Sequence, residues 1–341
     1  MRKHTNVALF VPHIGCSHRC SFCNQYAISG QTKLLTPEDV RKSAQIALAT
    51  GGAGGEIAFF GGSFTAIDTA YMCSLLEAAQ PYLGEGGFSG IRCSTRPDAI
   101  DDGRLSLLKE YGVTVIELGA QSMDNRVLLL NERGHTAEDT RMASEKIHAY
   151  GFSLGLQMMT GLLGDTDEQT LQTARELIAL LPQCVRIYPT VVLKNTRLET
   201  LWREGKYRPQ TLSEATALCA KLLLLFHEAD IPVIRLGLHS GGDTEAQMAA
   251  GPYHPAFREL CEGEIYLSRM QNELVSQPGG AYTVWVAPSE ISKAVGQKRK
   301  NLLLLQKKGY VCQVLPSPTL LPYQVRIEKQ ETAAHCGNRK G

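Results

Sequence analysis

The chain has 341 residues, 43% hydrophobic and 20% charged, and its 35 Lys and Arg against 34 Asp and Glu leave a net charge of +1. That balance supports a large buried core and excludes a disordered or globally basic protein, so any nucleic-acid contact has to be local. The length suits one large α/β barrel or two domains.

Met1 to Thr5 run straight into the apolar stretch Val7 to Val11 with no small-residue cleavage site. No apolar run reaches membrane-spanning length, so a cytoplasmic protein without a membrane partner is expected. The first strand is expected over 6–11. Behind it, Cys16, Cys20 and Cys23 put three of the ten cysteines into eight residues, while the other seven are scattered. Without an export signal, this pattern points to a metal or cluster site, not to a disulfide framework.

Thr36-Pro37-Glu38-Asp39 is a helix start, with a capping hydroxyl, a proline in the first turn and two acids at the positive end of the dipole. Further strands are expected over 56–60, 90–94, 113–119, 153–159, 185–190 and 232–236. Helical spacing recurs over 106–111, 137–150, 168–181 and 212–228. Strands alternating with helices predict strand–helix units on a parallel sheet, and the unusual residues follow the strands. The cysteine loop follows the first, Gly61-Gly62-Ser63-Phe64 the second, Gln121-Ser122 the fourth and Thr160 to Asp165 the fifth. In parallel barrels, chemistry gathers at those strand ends.

Composition changes after Glu264. The expected organisation is a barrel over 1–264, a smaller basic α+β unit over 265–328 and a frayed tail over 329–341. From Pro288 to Lys308 there are six cations and one acid. Gly296-Gln297-Lys298-Arg299 lies between helical stretches, with strands expected over 282–286 and 310–314. This resembles a minimal KH module, whose Gly-x-x-Gly loop clamps a nucleic-acid backbone. Arg299 stands where the second glycine would be. Gly296, Lys298, Arg299 and Lys300 are the candidate phosphate contacts, with a solvated basic helix as the plain alternative.

Three thiolates and no fourth suit an iron–sulfur cubane with one open iron. Zinc is the alternative if His13 or His18 completes a tetrahedron. Arg19 either offsets cluster charge or is solvated. Gly61 and Gly62 allow close backbone approach. Arg133 suits a carboxylate through a two-pronged pair, or else pairs with Glu132 or Glu138 on the surface. Tyr188, Lys194, Arg235, His239, His254 and Arg258 are candidate substrate contacts.

Cys-x-x-x-Cys-x-Phe-Cys after one strand and Phe60-Gly61-Gly62-Ser63-Phe64 after the next resemble the radical S-adenosylmethionine (radical SAM) superfamily. Ser94 to Asp98, Glu117 to Ser122, Asn131 to Thr136 and Arg186 to Thr190 extend the likeness. It is greatest to the radical domain of the Elongator catalytic subunit and to relatives of oxygen-independent coproporphyrinogen III oxidase, and spans about residues 4 to 262. The resemblance implies a partial (β/α)6 barrel and a [4Fe-4S] cluster on Cys16, Cys20 and Cys23. It further implies reductive cleavage of S-adenosylmethionine to a 5′-deoxyadenosyl radical and an electron donor of the flavodoxin or ferredoxin class. Phe22, Gly61, Gly62, Ser63, Ser94, Gln121, Arg133 and Gln157 are the implied cofactor positions. Ser94 and Gln157 depart from the family, standing where relatives carry a glutamate and an aspartate. The roughly eighty residues after the barrel are too few for the Elongator acetyltransferase domain, so that activity is not carried over. Three readings follow: a radical enzyme acting on RNA, expected to be tRNA; one acting on a small molecule such as a porphyrin precursor; or a non-catalytic metal-bearing RNA-binding protein. The catalytic residues and the oligomeric state stay open.

Overall fold

The structure is a computed structural model that describes residues 6–11, 14–16, 19–25, 33–238 and 245–330. Its contacts divide the chain into two units, Met1–Ala215 with Leu224–Pro255, and Thr216–Leu223 with Ala256–Gly341.

The first unit is a curled half-barrel. Seven strands, β1 (Val7–Val11), β2 (Glu56–Gly61), β3 (Gly90–Thr95), β4 (Val113–Gln121), β5 (Ser153–Thr160), β6 (Cys184–Pro189) and β7 (Val233–Leu236), pair in that order, all parallel. Parallel strands joined by helical crossovers are covered on both faces, so the middle of β2 is fully apolar, with Ile57, Ala58 and Phe59 wholly buried. The ring of Phe59 stacks on Phe64, with centroids 4.7 Å apart.

Local sequence signals set most helix starts. α1 (Pro37–Ala49) opens with the Thr36/Asp39 capping box. α2 (Thr69–Ala79) is capped by Asp68. α3 (Asp102–Glu110) begins four residues before the apolar spacing does, because Asp101 caps it by accepting from Arg104 N at 2.7 Å. α4 (Asn125–Leu130), α5 (Ala137–Ala149), α6 (Asp167–Ala179) and α7 (Arg197–Arg203) follow, and α8 (Leu212–Glu228) opens on a Thr211/Glu214 capping box.

The second unit is built around α9 (Phe257–Leu274), which has no side-chain cap and therefore no start signal in the sequence. Next come β8 (Gly280–Val286), α10 (Ile291–Val295), α11 (Lys300–Lys307), β9 (Tyr310–Pro316) and β10 (Arg326–Lys329). The sheet order is β9-β8-β10, with β8 parallel to β9 and antiparallel to β10. Tyr282, Val284 and Val286 form its buried face. Among the described residues, no helix is long and apolar enough to cross a membrane.

Candidate active site

The cysteine loop is held at the ends of the strands by close backbone packing. Gly62 N donates to Val11 O at 2.6 Å. A Cβ on Gly62 would lie 2.3 Å from Ile14 O, and one on Gly15 would lie 2.4 Å from Ser63 O. Those glycines let the β1 and β2 turns interlock. Farther along, Ser21 N donates to Asn131 O at 3.1 Å, and Ser21 Oγ to Asn131 Oδ1 at 3.0 Å. Gln25 Nε2 donates to Gly61 O at 2.6 Å. The thiols thus sit on a loop pinned to β2 and to the end of α4.

The positions expected from the sequence fall into three groups. Cys16, Cys20, Cys23, Gly61, Gly62, Ser63, Gln121 and Arg133 gather around this loop. Ser63 Oγ is already engaged by Thr95 Oγ1 at 2.8 Å and Arg96 N at 3.2 Å, which ties the β2 turn to β3. Ser94 and Gln157 form a second group inside the barrel, where Gln157 Nε2 donates to Ser94 Oγ at 3.2 Å and to Glu117 Oε2 at 2.8 Å. Phe22 packs on the separate apolar cluster of Val192, Leu198 and Tyr207. Of the late residues, Lys194 Nζ donates to Ala246 O at 2.8 Å and Arg235 Nε to Gly237 O at 3.1 Å. Tyr188 lies beside Arg186, and His254 is half-buried. Arg258 belongs to the second unit, where its Nε donates to Glu262. His239 and the zinc candidates His13 and His18 lie outside the described residues.

Electrostatics single out the thiol loop. Burial, then the neighbouring thiols Cys20 and Cys16, push the Cys23 thiol up to about 12, and Arg133 opposes them. Cys16 is also raised by burial, against a hydrogen bond from the Ser63 backbone and the charges of Arg96 and Arg133. Arg133 itself is 6% exposed. Its Nη1 donates to Cys20 Sγ at 3.0 Å and its Nη2 to Gly119 O at 2.6 Å, while Nε is buried without a partner. These partners are a thiol and a carbonyl, and neither is a carboxylate.

Further orphans cluster here: Arg96 Nη1, Gln121 Oε1 and His135 Nδ1 are all buried and unpartnered. Burial, then the charge of Arg133, lowers the His135 pKa to about 4, so the ring is neutral near pH 7. Its Nε2 lies 3.2 Å from Ala120 O, which can only accept, so Nδ1 is left as a bare acceptor. Arg96 and His135 were quoted in the sequence motifs but not picked out as site residues. What marks them is burial with an atom unused, and a sequence does not show that.

Nearer the strand starts lies a network with no such openings. Glu117, 1% exposed, accepts from Arg186 Nε at 2.7 Å and Nη2 at 2.9 Å, and from Arg92 Nη1 at 2.8 Å. Arg92 Nε also pairs with Glu56 at 2.8 Å. Burial alone would raise the Glu117 pKa, but Arg186, Arg92 and Gln157 outweigh it and lower the value. Gly155 makes room, since a Cβ there would lie 2.7 Å from Glu117 Cγ.

Whether the thiol loop suits an iron–sulfur cluster and a sulfonium cofactor is decided by its donors. Among the described residues, no three His, Cys, Asp or Glu side chains converge as a single metal ion would require. A cubane takes its thiolates from separate corners, so it does not need that convergence. Two guanidiniums beside the thiols and unused buried N–H groups suit a group of net negative charge, and a bound metal deprotonates its thiols outright. The residues present therefore fit.

In the second unit, Gly296 adopts φ +75, and a Cβ there would lie 2.8 Å from the buried side chain of Asn301. Asn301 Nδ2 donates to Gly263 O at 2.8 Å and Ala294 O at 3.1 Å. Lys298 and Arg299 both take left-handed φ values, +52 and +62, and with Lys300 they are exposed. At Arg299 the backbone thus adopts the conformation that favours the glycine missing from the Gly-x-x-Gly pattern.

The sequence profile of the radical SAM superfamily matches residues 10–177, and that of the radical SAM C-terminal domain matches residues 182–267. The chain belongs to the radical SAM superfamily. Among curated relatives, a Dehalococcoides mccartyi protein named tRNA uridine(34) acetyltransferase is 26% identical over 261 residues, 65% of this chain and 56% of that one. Human Elongator complex protein 3 is 28% identical over 173 residues, 47% of this chain and 32% of that one. The chain therefore spans about half or less of the length of these two relatives. The structure of archaeal Methanocaldococcus infernus Elp3 lacking its N-terminus shares the fold, with a TM-score of 0.59 at 20% identity over 78% of this chain and 67% of that one.

Proposed function

We propose that this chain is a radical SAM enzyme that holds a [4Fe-4S] cluster on Cys16, Cys20 and Cys23, binds S-adenosylmethionine beside it and acts on tRNA. Arg133 carries the reading. A buried guanidinium costs several kcal/mol unless an anion meets it, and here only a thiol and a carbonyl do so. With the cluster and cofactor bound, Arg133 would meet the Cys20 thiolate and could take the cofactor carboxylate through its free Nε. When bound, the cluster delivers the electron that splits the sulfonium carbon–sulfur bond.

The protein's own part is to bind and to orient. Cys20 is oriented by Arg133. Gln121 Oε1 and His135 Nδ1 present buried acceptors to a hydroxyl- and amine-bearing ligand, and the interlocked turns at Gly15 and Gly62 fix the loop that carries the thiols. An external low-potential donor of the flavodoxin or ferredoxin class would deliver the electron. tRNA as the substrate is supported by the names of the relatives and by the cationic loop Gly296 to Lys300, whose KH-like setting suits a phosphate backbone.

The test is anaerobic reconstitution with iron and sulfide, then dithionite reduction with S-adenosylmethionine. Wild type is expected to release 5′-deoxyadenosine and Cys20→Ala to release none. Release unchanged by Cys20→Ala, or zinc in place of iron and acid-labile sulfide, would sink the cluster assignment. Crosslinking to total tRNA that never reaches residues 298–300 would remove the RNA arm and leave the cluster standing.

A further inference from the structure

Arg96 stands in the turn after β3, 5% exposed. Its Nε and Nη2 form a two-pronged pair with Asp98 Oδ1 at 2.8 Å and Oδ2 at 2.6 Å, which fixes the plane of the guanidinium. That leaves Nη1, buried and without a partner. An unmet buried donor costs about 1–3 kcal/mol, so a fold that orients one this firmly calls for an acceptor.

The neighbours of Arg96 indicate which acceptor. Arg96 N donates to Ser63 Oγ at 3.2 Å, and the Ser63 backbone N–H in turn reaches the Cys16 thiol. After Asp98, the acidic groups whose charge acts on Arg96 are Cys20 and Cys16. Arg133 Nη1 separately donates to Cys20 Sγ. The thiol loop therefore has two guanidiniums beside it, one with a carboxylate partner and one without.

We infer that Arg96 Nη1 donates to a sulfur of the bound cluster and that Asp98 tempers the positive charge the cluster feels, so that the pair sets its reduction potential. The inference rests on the cluster reading above. Reduction places one electron on the cluster, taken from the external donor. Hydrogen bonds to sulfur and nearby positive charge stabilise that added negative charge. Arg96 and Asp98 are positioning residues, and no bond of the substrate passes through them.

The two residues predict shifts of opposite sign. In the reconstituted holoprotein, Arg96→Met is expected to make reduction about tenfold harder, a fall of about 59 mV for a one-electron couple. Arg96→Lys keeps the charge but loses the fork, and should fall by less. Asp98→Asn removes the opposing charge and should raise the potential. Each midpoint is read by EPR-monitored redox titration, with iron and sulfide content measured on the same sample. A merely structural role would lower cluster content and leave the midpoint of the remaining clusters unmoved. Midpoints equal to wild type in fully loaded Arg96→Met and Asp98→Asn would overturn the inference. If Arg96→Met does not fold, Asp98→Asn decides alone, and an unmoved or lowered midpoint refutes it. A wild-type protein that takes up no cluster would instead refute the reading beneath it.

Discussion

The half-barrel buries guanidiniums at two levels and treats them oppositely. Near the strand starts, Arg92 and Arg186 are answered by Glu56 and Glu117, and among the described residues no atom of this cage is a buried polar atom without a partner. At the strand ends, Arg133 meets a thiol and a carbonyl, while Arg96 keeps one N–H unused. In the lower set each guanidinium is paired with a carboxylate, which suits a scaffold role. The upper set leaves guanidinium N–H groups unused, and the proposed function assigns them to a bound anion.

Substitutions at the two levels should separate these roles. Cys20→Ala at the upper level should abolish nearly all iron and acid-labile sulfide uptake after anaerobic reconstitution while leaving the apo fold intact by circular dichroism. A variant that still loads fully would erase the distinction. Glu117→Gln at the lower level should cost about 3–5 kcal/mol in urea unfolding, because it leaves the buried Arg186 without its counter-ion.

The same carboxylate has a pH signature. Its folded pKa lies below the ordinary value of 4.5, so its stabilisation is complete above that value and is lost as pH falls through the folded pKa. Wild type should therefore lose stability on acidification below about pH 4.5, and Glu117→Gln should lose less over the same interval. Parallel curves for the two proteins would deny Glu117 this role.

Arg133→Met sharpens the contrast further. Removing an unanswered buried charge should leave apo stability unchanged or raised. Affinity for S-adenosylmethionine in the loaded protein, read by calorimetry, should fall about tenfold to a hundredfold, the size of a charge-assisted hydrogen bond. A large loss of apo stability with unchanged affinity would place Arg133 in the scaffold with Arg92. The smallest effect is expected in the second unit, where Lys298→Ala should reduce the salt slope of tRNA binding by about 1 and leave cofactor binding untouched.

Much of the fold was legible because its signals are local. Seven strand segments read as short β-rich runs appear as seven parallel strands, and the Thr36 start is a true capping box. α9, whose start has no capping side chain, was missed, and so were α2, α4 and α7 although Asp68, Asp124 and Thr196 cap them; α3 was read short because Asp101 initiates it ahead of its apolar positions. The three thiols were legible from spacing alone. Arg96, His135 and the Glu117 cage were not, since the first two are marked by burial with an atom unused and the cage by partners far along the chain. Arg92 and Glu117 are 25 residues apart, and Arg133 and Cys20 are 113 apart.

The sequence by itself determined which segments form the seven parallel strands, where α1, α5, α6 and α8 begin, and that soft sulfur ligands stand after the first strand. Alternation, capping and ligand spacing act over a few residues, so they survive without a fold. Only the tertiary structure decided which buried cations are neutralised and which are left open. That outcome depends on the register between parallel strands, where a glycine such as Gly155 admits Glu117 to the lower level while no carboxylate is placed against Arg133.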